Sequence, residues 1–461
     1  MIGQLAIRSL TAHPVRSAVL AAGFGVGVAV MAILLGVAEV VLEQSRAPAL
    51  VGGGDVFIHL VPGIPGRLVI AGALQSDALR PRIRTAAPSH TADLFMVHDG
   101  RSVPIEARGG IPSLEHDLGD PETTGARDWQ DSQEDIAWTR DTPDKVLRHI
   151  DRFHPIPDAP TWSDSWAEWL YFNGRAGDSQ FYLTFLVGPE TTDGHRTAGV
   201  RLQLDRGGRL ETFSESHTVT HAEALLAPDL TIGASFVRLV GMEYRVHLDL
   251  PGQGDERVRG DLTIEASAGR LVPPLEITGA RGWRSGYVVP VMSGRLDGVL
   301  DVGDDRVTFA GGSGYHDHNW GFWEGVSWQW GQVQHDDLSI LYGRVFPPSE
   351  AADPDRVPGF VSILGPDGPL AYSTNVTITE TNDERGRPRT VVVNATRSDV
   401  LDIELTFEVE SAITTDAGGS RLLADRLDFL QLHGTYTATG HAAGRTLAFT
   451  SPGSAETFRG R

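Results

Sequence analysis

The side chains best able to do chemistry are concentrated in residues 314–321, which read Gly-Tyr-His-Asp-His-Asn-Trp-Gly. Successive side chains of a β-strand point to opposite faces of the sheet. If this run is a strand, one face carries Tyr315, Asp317 and Asn319, and the other carries His316, His318 and Trp320. The spacing therefore predicts an acid beside a phenol on one face and paired imidazoles on the other.

Three interpretations of this run compete. Asp317, buried among aromatic rings, would have a raised pKa and would act as a general acid toward an alkene. His316 and His318 would instead bind a metal ion if His335 or Asp336 supplied a third ligand. In the third interpretation the His and Asn side chains fix a barrel corner through hydrogen bonds, while the nearby tryptophans fill a junction between domains.

The elements that must position this run are strands. After residue 160, short runs rich in Val, Leu, Thr and Tyr are bounded by Gly, Asp or Pro, which is typical of β-structure. In one of them Tyr244, Val246 and Leu248 alternate with polar residues, the period of a half-buried strand. We predict an all-β fold with two tandem antiparallel β-barrels or sandwiches, over residues 160–326 and 327–461.

Charge and cysteine content exclude several classes of function. The formal net charge of -21 at pH 7 repels phosphate backbones, so nucleic acid is not an expected partner. The chain has no Cys, which excludes disulfides and thiolate metal sites.

The N-terminal region contains an uncharged stretch of 21 residues, Ala18–Ala38. At ~1.5 Å rise per residue it spans about 30 Å, the hydrocarbon thickness of a bilayer. Arg8 and Arg16 precede it and Glu39 follows it, so the positive-inside rule places the N-terminus in the cytoplasm and the rest outside. The predicted organisation before the strands is a cytoplasmic end with a transmembrane helix over 1–46, a small mixed module over 47–114 and an acidic linker over 115–159.

Three runs of the chain resemble one family. AEWLYFNG, GSGYHDHNWG and SAETFRG are similar to segments of the lipocalin-like carotenoid 1,2-hydratases (hydroxyneurosporene synthases) and their bacterial AttH-type relatives, over about residues 160–461. The resemblance implies two lipocalin-like domains that bind a long apolar isoprenoid or lipid. It also implies a hydro-lyase that adds water to an isolated double bond without a cofactor.

The resemblance assigns roles to individual residues. Asp317 would protonate the less substituted carbon, and Tyr315 would help to stabilise the resulting carbocation, worth roughly 1 to 2 kcal/mol for each well-placed ring. The residues expected to contact the ligand are Trp320, Trp323, Trp328, Trp330 and Tyr287. The residues expected to act structurally, with no bound metal, are His316, His318 and Asn319. The family's upstream His-x-Trp pair has no counterpart in the stretch Trp283–Pro290.

A second resemblance concerns the N-terminal stretch, LAIRSLTAHPVRSAVLAAGFGVGVAVMAILLGVAEV. It is similar to the first helix of macrolide-exporter-type ABC permeases, which carry three further membrane helices. No second apolar stretch of ~20 residues occurs before Arg461, so a complete permease is not expected. The alternative function is therefore a non-catalytic lipid-binding or accessory subunit of an ABC exporter, held in the bacterial cytoplasmic membrane.

The apolar stretch yields the first prediction. The full-length protein should remain with the membrane fraction after carbonate washing, because the Ala18–Ala38 helix would cross the bilayer once. Immunoblotting of the washed membranes and the supernatant measures this. Recovery in the supernatant, with the N-terminus mapped beyond Glu43, would identify the stretch as a cleaved signal peptide.

Overall fold

A computed structural model describes residues 14–15, 56, 58, 66–75, 79–98, 101–119, 130–133, 135, 142–366, 368–397, 400–415 and 427–460. The predicted helix Ala18–Ala38 lies outside these residues. Among the residues that are described, no helix is long and apolar enough to cross a membrane. The chain divides into two compact units, one comprising residues 1–59 and 85–139 and the other comprising residues 60–84 and 140–461.

The described part of the first unit is a β-hairpin followed by a short helix. Strands β1 (Ser89–His98) and β2 (Arg101–Gly110) pair antiparallel along their whole length. The helix Pro112–Leu118 follows and ends at Gly119, which adopts the left-handed conformation (φ 79°). Glycine reaches this conformation without a Cβ penalty, which explains the stop.

The second unit contains two large antiparallel sheets joined in sequence. The first has 11 strands, in the order β6-β5-β4-β3-β13-β12-β10-β9-β8-β7 with β11 paired to β12, and it curls into a near-barrel. Its strands are β3 (Trp166–Ala176), β4 (Ser179–Glu190), β5 (His195–Arg206), β6 (Arg209–Thr220), β7 (Thr231–Ile232), β8 (Ser235–Val240), β9 (Glu243–Pro251), β10 (Arg257–Glu265), β11 (Val272–Thr278), β12 (Arg284–Val302) and β13 (Asp305–Phe322).

The second sheet has 9 strands, in the order β17-β16-β15-β14-β22-β21-β20-β19-β18, and forms a half-barrel. Its strands are β14 (Ser327–His335), β15 (Leu338–Phe346), β16 (Phe360–Gly365), β17 (Gly368–Ser373), β18 (Val376–Asn382), β19 (Pro388–Arg397), β20 (Leu401–Thr415), β21 (Leu427–Ala442) and β22 (Arg445–Gly460). The described helices of this unit are Gly66–Gln75, Pro143–Ile150 and His221–Ala224, with 3₁₀ turns at Arg80–Arg82, Ser163–Ser165, Ala280–Gly282 and Pro354–Arg356.

Each sheet is held by its own apolar core, and the predicted period-2 pattern is visible in it. On β9, Tyr244, Val246 and Leu248 are buried in the first core while Arg245 is exposed. A second core is formed by side chains of β14 to β22, including Phe407. The all-β fold with two tandem antiparallel sheets is therefore confirmed.

The last part of the range 115–159, predicted to be an acidic linker, packs in the first core. Val146, Leu147 and Ile150 of the helix Pro143–Ile150 are buried in the first core. Phe153, just after the helix, is buried there too. The sequence did not reveal the apolar face of this helix, because the helix is short and its polar face is charged.

Truncation of this helix contact should loosen the first sheet. Leu147→Ala should lower the free energy of unfolding by about 2 to 5 kcal/mol, because the side chain is 1% exposed and its removal leaves a cavity. Denaturant titration measures the change. Lys145→Ala, at an exposed position of the same helix, is the control and should change stability by less than about 0.5 kcal/mol. Equal effects of both substitutions would show that the helix is not part of the core.

Candidate functional site

The chemically capable run lies at the centre of the first sheet, on β13. This strand pairs with β3 on one side and with β12 on the other. Asp317 is directly opposite Tyr171 of β3, and His318 is opposite Val288 of β12. The register of β12 shifts between Val288 and Val291, and such bulges bend a strand and increase its twist. The run therefore lies on a bent central strand.

The two faces of β13 meet different surroundings, as strand alternation predicted. His316 and His318 point into the first sheet and are fully buried, at 0% exposure. Tyr315 and Asp317 point the other way, toward the second sheet, and are also buried. One strand thus carries two separate polar sites.

The face inside the first sheet holds an ion-pair network centred on His318. Its Nε2 lies 3.0 Å from Glu168 Oε1, and its Nδ1 lies 3.2 Å from Asp151 Oδ1. Glu168 Oε1 also lies 2.7 Å from His154 Nδ1, and both Glu168 oxygens accept the His154 backbone N–H at 3.0 Å. The His318–Asp151 approach is an ion-pair contact that lacks hydrogen-bond geometry. His318 is therefore enclosed by two carboxylates.

The charges of this network are mutually stabilised. Burial alone would lower the pKa of His318, but Asp151 and Glu168 outweigh it and raise that pKa to about 9. Burial would raise the pKa of Asp151, but His316 and His318 outweigh it and lower that pKa to about 2. The pKa of Glu168 is lowered in the same way, since the hydrogen bonds from His154 and His318 outweigh its burial. His318 is thus a cation between two anions at neutral pH.

Further hydrogen bonds join the network to the surrounding strands. Asp151 Oδ2 accepts the Tyr244 hydroxyl at 2.9 Å and lies 3.0 Å from His316 Nε2. The other ring nitrogen of His316, Nδ1, lies 2.9 Å from the Tyr171 carbonyl oxygen. A carbonyl can only accept, so Nδ1 carries the proton. The network therefore binds the segment around Asp151 to β13 and to β3.

A metal ion bound here would need side-chain atoms that already take part in the ion-pair network. Among the residues described, His154, Glu168 and His318 offer donor atoms within 4.8 Å of one another. A protonated imidazole has no lone pair for a metal, so a metal ion bound there would have to displace the proton of the His318 ion pair. His335, suggested above as a third ligand, lies elsewhere and stacks on Phe449 of β22, with ring centroids 4.2 Å apart.

The opposite face of β13 forms a second site between the two sheets. Asp317 Oδ2 accepts the Tyr315 hydroxyl at 2.8 Å, and Oδ1 accepts from Asn319 Nδ2 at 2.6 Å. Tyr315 in turn accepts from the indole N–H of Trp330, on the second sheet, at 3.1 Å. The buried side chains around this chain of contacts, here called the seam cluster, are Tyr171, Tyr182, Val272, Tyr287, Val289, Met292, Tyr315, Trp330, Leu341, Phe360 and Leu364.

This environment favours the protonated form of Asp317. Burial raises its pKa well above the ordinary value, and the charge of Glu456 on β22 raises it further; the hydrogen bonds from Tyr315 and Asn319 only partly oppose this. Burial also raises the pKa of Glu456 to about 7. An acid that stays protonated near neutral pH can donate its proton to a ligand.

The residues predicted to contact a ligand are distributed over two places. Trp330 and Tyr287 belong to the seam cluster, with ring centroids 4.9 Å apart. Trp328 packs at its edge and stacks on Phe458. Trp320 and Trp323 are buried in the core of the first sheet. Trp320 lies on the opposite face of β13 from Asp317, because residues an odd number of positions apart on a strand point to opposite faces.

Five residues of these sites were not identified from the sequence. Glu168 and Glu456 lie inside the runs AEWLYFNG and SAETFRG, where each reads as a polar position of a strand. Asp151 and His154 lie in the stretch predicted to be a linker, and Tyr171 read as a core aromatic residue. An acid flanked by apolar residues in a strand, as in Glu168, was the available signal.

The fold and the sites define an all-β protein of two tandem antiparallel sheets, a near-barrel and a half-barrel, with a polar site at the seam between them. No protein-family model matches the chain, and no curated protein matches it. It is similar to the crystal structure of an AttH candidate from Nitrosomonas europaea, with 13% identity and a TM-score of 0.43, over 66% of this chain and 99% of the other. It is also similar to CghA in complex with Sch210972, with 12% identity and a TM-score of 0.43, over 69% and 94% of the two chains.

The charged state of His318 predicts a pH dependence of stability. Its folded pKa of about 9 exceeds the ordinary value of 6.5. The stabilisation is therefore complete below pH 6.5 and is lost as the pH rises toward about 9. His318→Gln should lose about 3 to 5 kcal/mol of unfolding free energy at pH 7, because two buried carboxylates lose their cation.

Urea titrations between pH 6 and 10 measure this on the wild type, on His318→Gln and on a control, His247→Gln. His247 is a partly exposed histidine of β9 that contacts Asp261. The free energy of unfolding of the wild type and of the control should fall over this range. That of His318→Gln should lack the part of the fall that comes from deprotonation of His318. A parallel decline in all three proteins would contradict the ion-pair assignment, as would one transition metal per chain that is absent from His318→Gln.

Proposed function

We propose that the second unit binds a long apolar molecule, an isoprenoid or a lipid, at the seam cluster, and that Asp317 protonates it. The observation that supports this most is a carboxyl group buried at the edge of an aromatic cluster, with a phenol 2.8 Å away and a pKa raised by its burial. Aromatic side chains provide an apolar contact surface and faces that attract a cation. The site thus has an acid and cation-stabilising walls in one place.

The proposed reaction is the hydration of an isolated double bond. The Asp317 carboxyl proton forms a new C–H bond at the less substituted carbon, using the π electrons of the alkene, and leaves a carboxylate. The more substituted carbon becomes a tertiary cation beside the Tyr315 and Trp330 rings. Water adds to this carbon and loses a proton, and Asp317 regains one, so the net change is alkene plus water to tertiary alcohol.

A non-catalytic carrier is the alternative, and one observation favours it. Both oxygens of Asp317 already accept hydrogen bonds inside the protein, from Tyr315 and Asn319, as expected for a structural carboxyl group. In this alternative the protein holds an apolar ligand without changing it, as an accessory subunit of an ABC-type exporter. In either case we propose that the Ala18–Ala38 stretch tethers the protein to the cytoplasmic membrane.

The Asp317→Asn variant separates the two functions. An amide nearly preserves the shape of the side chain but cannot donate a carboxylic proton, so product formation from an acyclic isoprenoid with a terminal double bond should fall by about 10² to 10⁴-fold. Ligand affinity and melting temperature should remain near the wild-type values. Asp301→Asn, at an exposed position of β12, is the matched control and should retain full activity.

Product formation by mass spectrometry, affinity and melting temperature should be measured on the same preparations. An unchanged rate in Asp317→Asn would exclude the catalytic role. Loss of melting temperature together with binding would identify Asp317 as structural, through a buried hydrogen-bonded group worth about 1 to 3 kcal/mol. Binding without turnover in the wild type would support the carrier.

A further inference from the structure

Two buried polar atoms at the seam make no hydrogen bond of acceptable geometry within the described structure. They are the hydroxyl oxygen of Tyr171, on β3 of the first sheet, and Oε1 of Glu456, on β22 of the second sheet. The two side chains approach closely enough for a polar contact between them to shift both pKa values, but these atoms do not reach hydrogen-bond geometry. Buried polar groups are satisfied in the great majority of cases, so a donor and an acceptor left open at one place require an explanation.

Both residues are placed next to Asp317 by strand pairing. Tyr171 is directly opposite Asp317 in the β3–β13 register. Glu456 is opposite Trp330 in the β14–β22 register, and Trp330 donates to Tyr315, which donates to Asp317. The charge of Glu456 raises the pKa of both Tyr171 and Asp317, which is consistent with its carboxylate lying close to both. The open atoms and the acid thus converge from two sheets.

The surroundings of these atoms are largely aromatic. The Tyr171 ring lies 6.4 Å from the Tyr182 ring and 6.4 Å from the Tyr315 ring, centroid to centroid. Glu456 is half-buried as a residue although its Oε1 is enclosed. A phenol donor and a carboxylate acceptor suit a group that both accepts and donates a hydrogen bond. A hydroxyl group or a water molecule fits this description, and a hydrocarbon does not.

We infer that Tyr171 and Glu456 form a subsite for one hydroxyl-type oxygen on an otherwise apolar ligand, with Tyr171 donating to that oxygen and Glu456 accepting from it. The inference rests on the proposed function and specifies it. During hydration the subsite holds the attacking water, and afterwards it holds the hydroxyl of the tertiary alcohol. The residues are distinct from the proton donor, Asp317.

The subsite also completes the proton balance of the reaction. As the water oxygen forms its bond to the cationic carbon, one of its protons passes to the Glu456 carboxylate. The proton that Asp317 gave to the alkene is then restored from Glu456, so both carboxyl groups return to their starting state. The overall change is one water added across one double bond, with no oxidant, reductant or metal.

Binding of two probes with the same carbon skeleton tests the subsite independently of turnover. The probes are squalene and the tertiary alcohol formed by hydrating one of its terminal double bonds, titrated into the detergent-solubilised full-length protein by tryptophan fluorescence. The wild type should bind the alcohol about 10-fold more tightly, the equivalent of one or two net hydrogen bonds. Tyr171→Phe and Glu456→Gln should each reduce this preference to within about 2-fold, while squalene affinity stays within about 2-fold of the wild type.

The controls are buried or half-buried residues of the same types outside the seam cluster. Tyr342→Phe removes a hydroxyl that bonds to Tyr436 inside the second core. Glu380→Gln changes a half-buried carboxylate of the second sheet that accepts from Gln329 and Thr457. Both controls should keep the wild-type preference for the alcohol.

The outcomes separate the subsite from the proposed function. A preference that persists in Tyr171→Phe and Glu456→Gln would overturn the subsite and leave apolar ligand binding intact. Failure of the wild type to bind either probe would overturn both proposals. Loss of affinity for both probes together with a lower melting temperature in the two variants would overturn the subsite by showing that Tyr171 and Glu456 are structural.

Discussion

The imidazolium ring of His318 lies between the carboxylates of Asp151 and Glu168, and all three side chains are 0% exposed. Breaking such a pair from one side leaves an uncompensated buried charge, which costs about 3 to 5 kcal/mol. Asp151 precedes the first sheet, while Glu168 and His318 lie on its neighbouring strands β3 and β13. The His318 ion pairs therefore fix both the segment before the barrel and the pairing of the two central strands, β3 and β13.

The acids that face the two sides of β13 have opposite pKa shifts. Toward the first core, cationic His318 lowers the pKa of Asp151 to about 2 and lowers that of Glu168. Toward the seam, burial and the charge of Glu456 raise the pKa of Asp317. Strand alternation places these environments one residue apart. A rigid ion-paired face can then hold an adjacent proton donor in a fixed position.

Local sequence predicted the strands, the two faces of β13 and the pairing of Tyr315 with Asp317, because strand alternation depends only on neighbours. It did not predict the partners of these residues. Glu168 reaches His318 through the β3–β13 register, and Glu456 reaches the seam through the packing of one sheet on the other. Asp151 read as the end of a linker, since nothing in its neighbours indicates the buried His318 that it pairs with. These partners are set by contacts between residues that are far apart in the chain, and a single sequence does not reveal such contacts.

The seam site requires both sheets, and the connection between them explains how they are held together. Only residues 323–326 separate β13 from β14. Trp323 in this link is buried, and its indole N–H donates to the Ala167 carbonyl at 2.9 Å. Its backbone N–H donates to the Ser165 carbonyl at 3.0 Å. A link that is short and anchored to the first sheet restricts how far β14 can move from β13, so Trp330 stays within reach of Tyr315. The burial that raises the pKa of Asp317 is therefore a property of the pair of sheets, because side chains of both surround this acid.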